Sequence, residues 1–307
     1  MSSSKKLNIL IIPSWYPSEM DPNGVPYIRA QAQALVRAGH KVTVVFTQSY
    51  SLNLKKLMEL DFNPDIVHIH TYLAGNLGIW FSQKYNIPLI TTEHYTGFAR
   101  GIIKSWELKL AKKLYHYSIY NIGVSTLFAS LLTEMTGADF KVLPNMVNTD
   151  LFTLSVKNNN RSRAYTYLYV GYLHKKKNIT MLLNAFTEIH YKNKSSKLII
   201  VGEGIMFAEL KEIVKINNLE NVVSFPGFLE AKKVALVMND VDSFILPSQF
   251  ETFGIVVIEA MASGLPVVVT KSGGPETFVQ NGINGIVINQ DQKELEKALV
   301  EVREKGF

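Results

Sequence analysis

The 307-residue sequence contains no cysteine, which excludes disulfides, thiolate metal sites and a cysteine nucleophile. Long apolar runs are missing too. No stretch nears the roughly 18 residues that a bilayer-spanning helix needs, and the apolar start from Leu7 to Pro13 is too short for a secretion signal and reads as a buried strand. Charge is sparse: 19% of residues are charged, and the formal net charge is +6. It splits as +4 in residues 1–150 (14 basic, 10 acidic) and +2 in 151–307 (18 basic, 16 acidic). A nucleic-acid-binding domain would cluster its basic residues with aromatics on one face. A mild excess suits an anionic small molecule or an acidic lipid surface instead. The expectation is a cytoplasmic chain, soluble or peripheral to the inner face of a membrane, with no nucleic-acid partner.

Apolar material is plentiful, at 47% of residues. The length exceeds one comfortable core and suits two domains of roughly 150 residues with a cleft between them. Short apolar runs at Leu7–Ile12, Lys41–Phe46, Asp65–His70, Pro88–Thr92 and Ile119–Val124 alternate with helical patterns, the first helix running from Pro26 to Ala38 and stopping at Gly39. The periodicity lapses between Asn145 and Arg163, which predicts a linker. It resumes with runs at Tyr165–Val170, Lys197–Val201, Val222–Phe225, Ser243–Leu246, Val267–Thr270 and Ile286–Ile288. Strand–helix alternation predicts parallel sheets wound on both faces. The fold class is therefore α/β, with two Rossmann-like domains at 1–150 and 151–307. Ligands of such sheets bind beyond the carboxyl ends of the strands, so functional residues are expected in strand-to-helix loops.

Residues 250–268, FETFGIVVIEAMASGLPVV, combine a loop, a helix from about Gly254 to Ser263, a glycine stop at Gly264 and a strand opened by Pro266. Gly254 lets the chain approach a ligand at a helix N-terminus, where free amides favour phosphate. Glu251 precedes the helix. Glu259 lies inside it among apolar residues, where a carboxylate needs hydrogen-bond partners such as ribose hydroxyls, or else faces water.

The spacing resembles the Glu-x7-Glu signature of the retaining family 4 glycosyltransferases of the GT-B fold. Val142-Leu143-Pro144-Asn145, Val201-Gly202-Glu203-Gly204, Phe225-Pro226-Gly227-Phe228-Leu229 and Ser272-Gly273-Gly274-Pro275-Glu276 fit the same family in the same order. The resemblance implies a nucleoside diphosphate-sugar donor bound by the second domain, with no other cofactor and no metal. The acceptor, a glycan or lipid-linked hydroxyl, would approach from the first domain. Glu251 would meet the sugar hydroxyls, the amides of Phe253, Gly254 and Ile255 the diphosphate, and Glu259 the ribose. Gly171, Gly202, Gly227 and Phe228 would line the donor site. In the loop Gly171–Asn178, Lys177 matches the family's phosphate-binding lysine. The family's arginine is replaced by Tyr172, which leaves Lys175 or Lys176 as a substitute cation or as a solvated run. His94, after the fourth strand, resembles the cleft histidine near the donor sugar, and Gly24 a glycine on the acceptor side. Relatives are expected to carry a longer insertion between Phe46 and Asp65 and terminal helices beyond the position of Phe307.

His68 and His70 face one way on a strand, but lack obvious further ligands for a metal. Asp240-Val241-Asp242 has the aspartate spacing of another, metal-dependent glycosyltransferase fold, yet precedes its strand and reads as a turn. The helix around Lys104 to Tyr120 carries Lys104, Lys109, Lys112 and Lys113 beside Trp106 and several leucines. It is either a core-packed helix with a wet basic face or a contact for anionic lipid. The reading is a hexosyl- or N-acetylhexosaminyltransferase of glycan, polysaccharide or glycolipid synthesis. The alternatives are a nucleotide-sugar epimerase on the same architecture and a non-catalytic nucleotide-sugar-binding protein.

Overall fold

The structure, a computed structural model, describes residues 5–16, 26–46, 63–154 and 164–305. The chain divides into two compact units, Met1–Met146 and Val147–Phe307. The division falls slightly before the expected position at residue 150, because Val147, Leu151 and Phe152 pack on the second unit's core.

The first unit holds strands β1 (Asn8–Pro13), β2 (Lys41–Val44), β3 (Ile66–His70), β4 (Leu89–Glu93), β5 (Tyr120–Gly123) and β6 (Phe140–Val142). They form one sheet in the order β2-β1-β3-β4-β5-β6, every described neighbour pair being parallel. Its helices are α1 (Pro26–Arg37), α2 (Gly75–Tyr85), α3 (Ser105–Tyr117) and α4 (Thr126–Thr136). Strand β1 has a continuous apolar interior, as a sheet covered on both faces favours, and Leu10, Ile11, Val67, Ile69 and Leu89 are all buried, while β3 and β4 also bury histidines and threonines. Strand β6 was not anticipated. Helix α3 is shorter than expected and lays Ala111, Leu114 and Tyr115 into the core while its lysines face water.

The second unit contributes β7 (Tyr165–Val170), β8 (Ser196–Val201), β9 (Val223–Gly227), β10 (Ser243–Leu246), β11 (Val267–Thr270) and β12 (Gly285–Ile288), with α5 (Ile179–Lys192), α6 (Phe207–Ile216), α7 (Ala231–Asp240), α8 (Ile255–Ala262) and α9 (Gln292–Lys305). The sheet order is β12-β11-β10-β7-β8-β9. This is the Rossmann order, reversing direction between β7 and β10. Central strand β7 carries tyrosines where aliphatic residues are usual. Their hydroxyls are satisfied, Tyr167 donating to the Leu299 carbonyl of α9 at 2.8 Å and Tyr165 to that of Val302 at 3.2 Å. Asp242 accepts from the Thr166 amide at the amino end of β7, the end away from the loops where ligands bind.

Candidate active site

The chain leaves β7 and β10 in opposite directions, so a crevice opens beyond their carboxyl ends. Lys177 comes from the loop after β7 and Glu251 from the loop after β10, and the fold joins them. Lys177 Nζ donates to Glu251 Oε1 at 2.5 Å, and Ser248 Oγ donates to the same oxygen at 2.8 Å. The two charged side chains are only 17% and 9% exposed. Removing one partner would strand a shielded charge, which is strongly unfavourable.

Backbone bonds fix this pair. A single 3-10 turn, Lys175–Lys177, ends at Asn178 in the left-handed region (φ 52°) and sets the direction of Lys177. The Gln249 amide donates to the Lys176 carbonyl at 2.8 Å, and the Glu251 amide to that of Ser272 at 2.9 Å. Gln290 Nε2, beyond β12, donates to the carbonyls of Gln249 and Lys271 at 2.8 and 2.9 Å. At Gly274 a Cβ would lie 2.5 Å from the Phe253 nitrogen, so only glycine lets the loops after β10 and β11 pack this closely.

Helix α8 starts from Gly254 at φ 89°, with no side chain capping it. Its first amides therefore lack intrahelical acceptors and present the positive end of the helix to an anion. The Phe253 ring is buried on Phe278, 4.9 Å between centroids, leaving its backbone for a ligand. Ile255 opens the helix. Within α8, burial alone lifts the Glu259 carboxyl to about 7. Such a group is waiting for donors.

Gly171, Gly202 and Gly227 end three adjacent strands, β7, β8 and β9, and are tied by the bonds Gly202 N–H to Gly227 carbonyl (2.8 Å) and Gly171 N–H to Val201 carbonyl (3.0 Å). Phe228 follows, exposed. Lys176 is held by its main chain, its amide bonded to His174 Nδ1 and its carbonyl to Gln249. Tyr172 is 56% exposed and stacks on His174. Its carbonyl accepts from Tyr169 Oη, and its position carries no cation.

In the first unit, His94 follows β4 and is buried against His70 and Tyr27. Burial, and secondarily His68, push its imidazole down to about 3, so the ring is neutral near pH 7. Its neighbour Glu93 is fully buried and accepts four bonds, from the amides of Tyr72, His94 and Tyr95 and from Tyr115 Oη, at 2.7–2.9 Å. Burial raises the Glu93 carboxyl despite these bonds. Thr71, after β3, sits at φ 68°, an unusual conformation for a β-branched residue. It donates to Ser14 Oγ at 2.5 Å. Gly24 lies outside the described residues. No group of three or more metal-ligating side chains occurs among the described residues.

Ser248, Gln290, Glu93 and Tyr115 were not anticipated. Only Ser248 had a signal, the Ser-x-x-Glu spacing to Glu251.

The profile described as glycosyl transferases group 1 matches residues 152–305, and that of Glycosyltransferase Family 4 matches 47–151. The chain belongs to the group 1 glycosyltransferases. Among relatives of this glycosyltransferase is the alpha-monoglucosyldiacylglycerol synthase of Acholeplasma laidlawii, 27% identical over 95% of this chain and 78% of its own. Sucrose-phosphate synthase from Thermosynechococcus elongatus has the same fold, with a TM-score of 0.81 at 19% identity over 98% of this chain and 90% of that one. So does Anabaena HepE, solved with UDP and glucose, with a TM-score of 0.79 at 20% identity over 97% and 90%. Both solved structures place the two Rossmann-like units in the GT-B class. The relatives' names are those of transferases, which disfavours the epimerase alternative.

Proposed function

We propose that this glycosyltransferase moves a hexosyl or N-acetylhexosaminyl group from a nucleoside diphosphate-sugar to an acceptor hydroxyl, with retention of anomeric configuration. One observation carries the reading: the shielded Lys177–Glu251 pair at the reversal point of the second sheet, beside the uncapped start of α8. The second unit binds the donor and the first serves the acceptor. Lys177 and the amides of Phe253, Gly254 and Ile255 hold the diphosphate and stabilise its charge as the glycosidic bond breaks. Glu251, oriented by Ser248, positions the sugar hydroxyls. Glu259 accepts from the ribose, and the glycines ending β7, β8 and β9, with Phe228, leave room for the nucleoside. His94 contributes a neutral imidazole to the reacting side of the sugar. No separate nucleophile is assigned. The acceptor attacks the face the phosphate leaves, and that phosphate takes the acceptor proton. No divalent metal enters this scheme.

HepE, solved also with UDP-glucose, makes that the first donor to try, and the name of the Acholeplasma synthase makes lipid-linked hydroxyls the first acceptors to screen, ahead of glycan hydroxyls. Replacing Glu251 or Lys177 by alanine should lower transfer by about 100-fold or more. Undiminished turnover in either variant would sink the assignment. Donor-induced thermal stabilisation without turnover across the acceptor panel would favour the non-catalytic alternative.

The reading places the enzyme in the cytoplasm or peripheral to the inner face of a membrane, which a chain without cysteine permits. No helix among the described residues is long and apolar enough to cross a membrane. Peripheral contact is favoured by α3, where Trp106 is 55% exposed beside Lys109 and Lys113. Substituting Lys104, Lys109, Lys112 and Lys113 by glutamine should abolish co-sedimentation with anionic vesicles, and unchanged sedimentation would discard the contact.

A further inference from the structure

Three imidazoles of the first unit lie in a row, His68 over His70 and His70 edge to edge with His94. His68 and His70, two apart on β3, lie with ring centroids 4.3 Å apart, and His70 continues onto His94 at 5.3 Å with an interplanar angle of 16°. Tyr27 covers the other side of His94 at 4.6 Å. All three histidines are buried. His68 Nε2 bonds Thr92 Oγ1 at 2.8 Å, and His70 Nδ1 faces His94 Nε2 at 3.0 Å. His70 Nε2 is buried and has no hydrogen-bond partner.

Burial holds these rings well toward the neutral form: His68 is pushed down to about 4, His94 to about 3, and His70 well below its ordinary value, lowered also by the other two. Two neutral imidazoles sharing one contact place a single proton between them, and its owner follows from the orphaned atom. If His94 Nε2 carried it, the proton of His70 would have to sit on Nε2, a buried N–H with no acceptor. If His70 Nδ1 carries it, His70 Nε2 is only a buried lone pair. Orphaned donors are rarer in proteins than under-satisfied acceptors. The neutral ring has one proton, so His94 must then hold its own on Nδ1.

We propose that His70 is a positioning residue: it donates from Nδ1 to His94 Nε2 and thereby locks His94 as the Nδ1–H tautomer, a hydrogen-bond donor rather than a general base. The proposal rests on the assignment of His94 to the reacting side of the sugar. The division of labour is clear in the contacts. Glu93 Oε1 accepts from the His94 amide and fixes its main chain, while His70 fixes the plane and tautomer of its ring. A protonated Nδ1 has no lone pair to offer. It cannot take the acceptor's proton, which agrees with leaving that step to the departing phosphate.

The test begins with the unaltered chain, its histidines labelled with nitrogen-15, in long-range proton–nitrogen spectra at neutral pH. His94 should show a protonated Nδ1 and an unprotonated Nε2. The reverse pattern overturns the proposal. In His70→Phe, which keeps an aromatic ring at the site and removes the donor, His94 should shift toward Nε2–H and kcat should fall about tenfold with the donor KM little changed. In His70→Asn, whose side-chain amide can reach from near the Nδ1 position, the Nδ1–H pattern and most of kcat should return. An unchanged His94 tautomer in His70→Phe overturns the proposal, as does full activity in His70→Phe while His94→Ala is inactive. Full activity in His94→Ala removes instead the role of His94 in the reaction, and the wild-type spectrum separates that failure from this one.

Discussion

At pH 7 the Glu259 carboxyl is close to half protonated, since burial has raised it to about 7. Two opposite pH effects follow. Its folded value exceeds the unfolded one, so its contribution to stability is full below the unfolded value and is lost as pH rises through about 7. Donor binding runs the other way: ribose hydroxyls donating to the carboxylate favour its charged form. Binding should then release protons, and affinity should be about tenfold higher at pH 8 than at pH 6. Calorimetry with the intact donor, in buffers of different protonation enthalpy, measures this directly. A diphosphate esterified at both ends does not itself titrate near neutrality. Glu259→Gln should flatten the profile, and a flat profile in the unaltered enzyme would remove Glu259 from the ribose.

The elements that matter most are three loops, those after β7, β10 and β11, tied together by main-chain bonds and by Gln290. Gln290→Ala frees two carbonyls that are near water, so the stability cost should stay under about 1 kcal/mol. The loop carrying Glu251 loses a restraint, and the donor KM should rise several-fold with little change in melting temperature. An unchanged KM would make the staple incidental. Such links are where the sequence is silent. Glu251, Gly254 and Glu259 stand out because their spacing resembles the family's Glu-x7-Glu signature, and Lys177 because it matches the family's phosphate-binding lysine. Gln290 acts on backbone carbonyls that only the folded loops bring near, whereas Ser248 lies within Ser-x-x-Glu reach of its carboxylate along the chain. Strands with long apolar runs were plain, whereas β6, Phe140-Lys141-Val142, is a three-residue edge strand with a lysine at its centre. His70 was visible as half of a pair with His68, and His94 as a loop histidine 24 residues on, but the contact between them was not.

At the scale of the molecule, the two units differ in what they bury. The first hides His68, His70 and His94, all lowered chiefly by burial. The folded values lie below the unfolded one, so the stability they permit is present above about 6.5 and is lost as pH falls toward 4 and then 3. Each contributes a slope of at most about 1.4 kcal/mol per pH unit. Glu93, raised by burial, takes up its proton at a higher pH in the folded than in the unfolded state and partly offsets the loss. The three tryptophans, Trp15, Trp80 and Trp106, all lie in this unit. Their fluorescence should therefore report its melting apart from that of the second unit, with a midpoint falling markedly between pH 7 and pH 5. A midpoint that holds steady would mean the histidines are hydrated. The sheets have one more consequence. Every described neighbour pair is parallel, so no two adjacent strands can be closed by a tight turn, and each pairing waits for a crossover. During synthesis β7 can gain β8 early, but its other edge stays bare until Ser243–Leu246 leaves the ribosome. For that interval β7, whose carboxyl end leads to Lys177, borders an open strand edge, the kind of surface that aggregates unless it is covered.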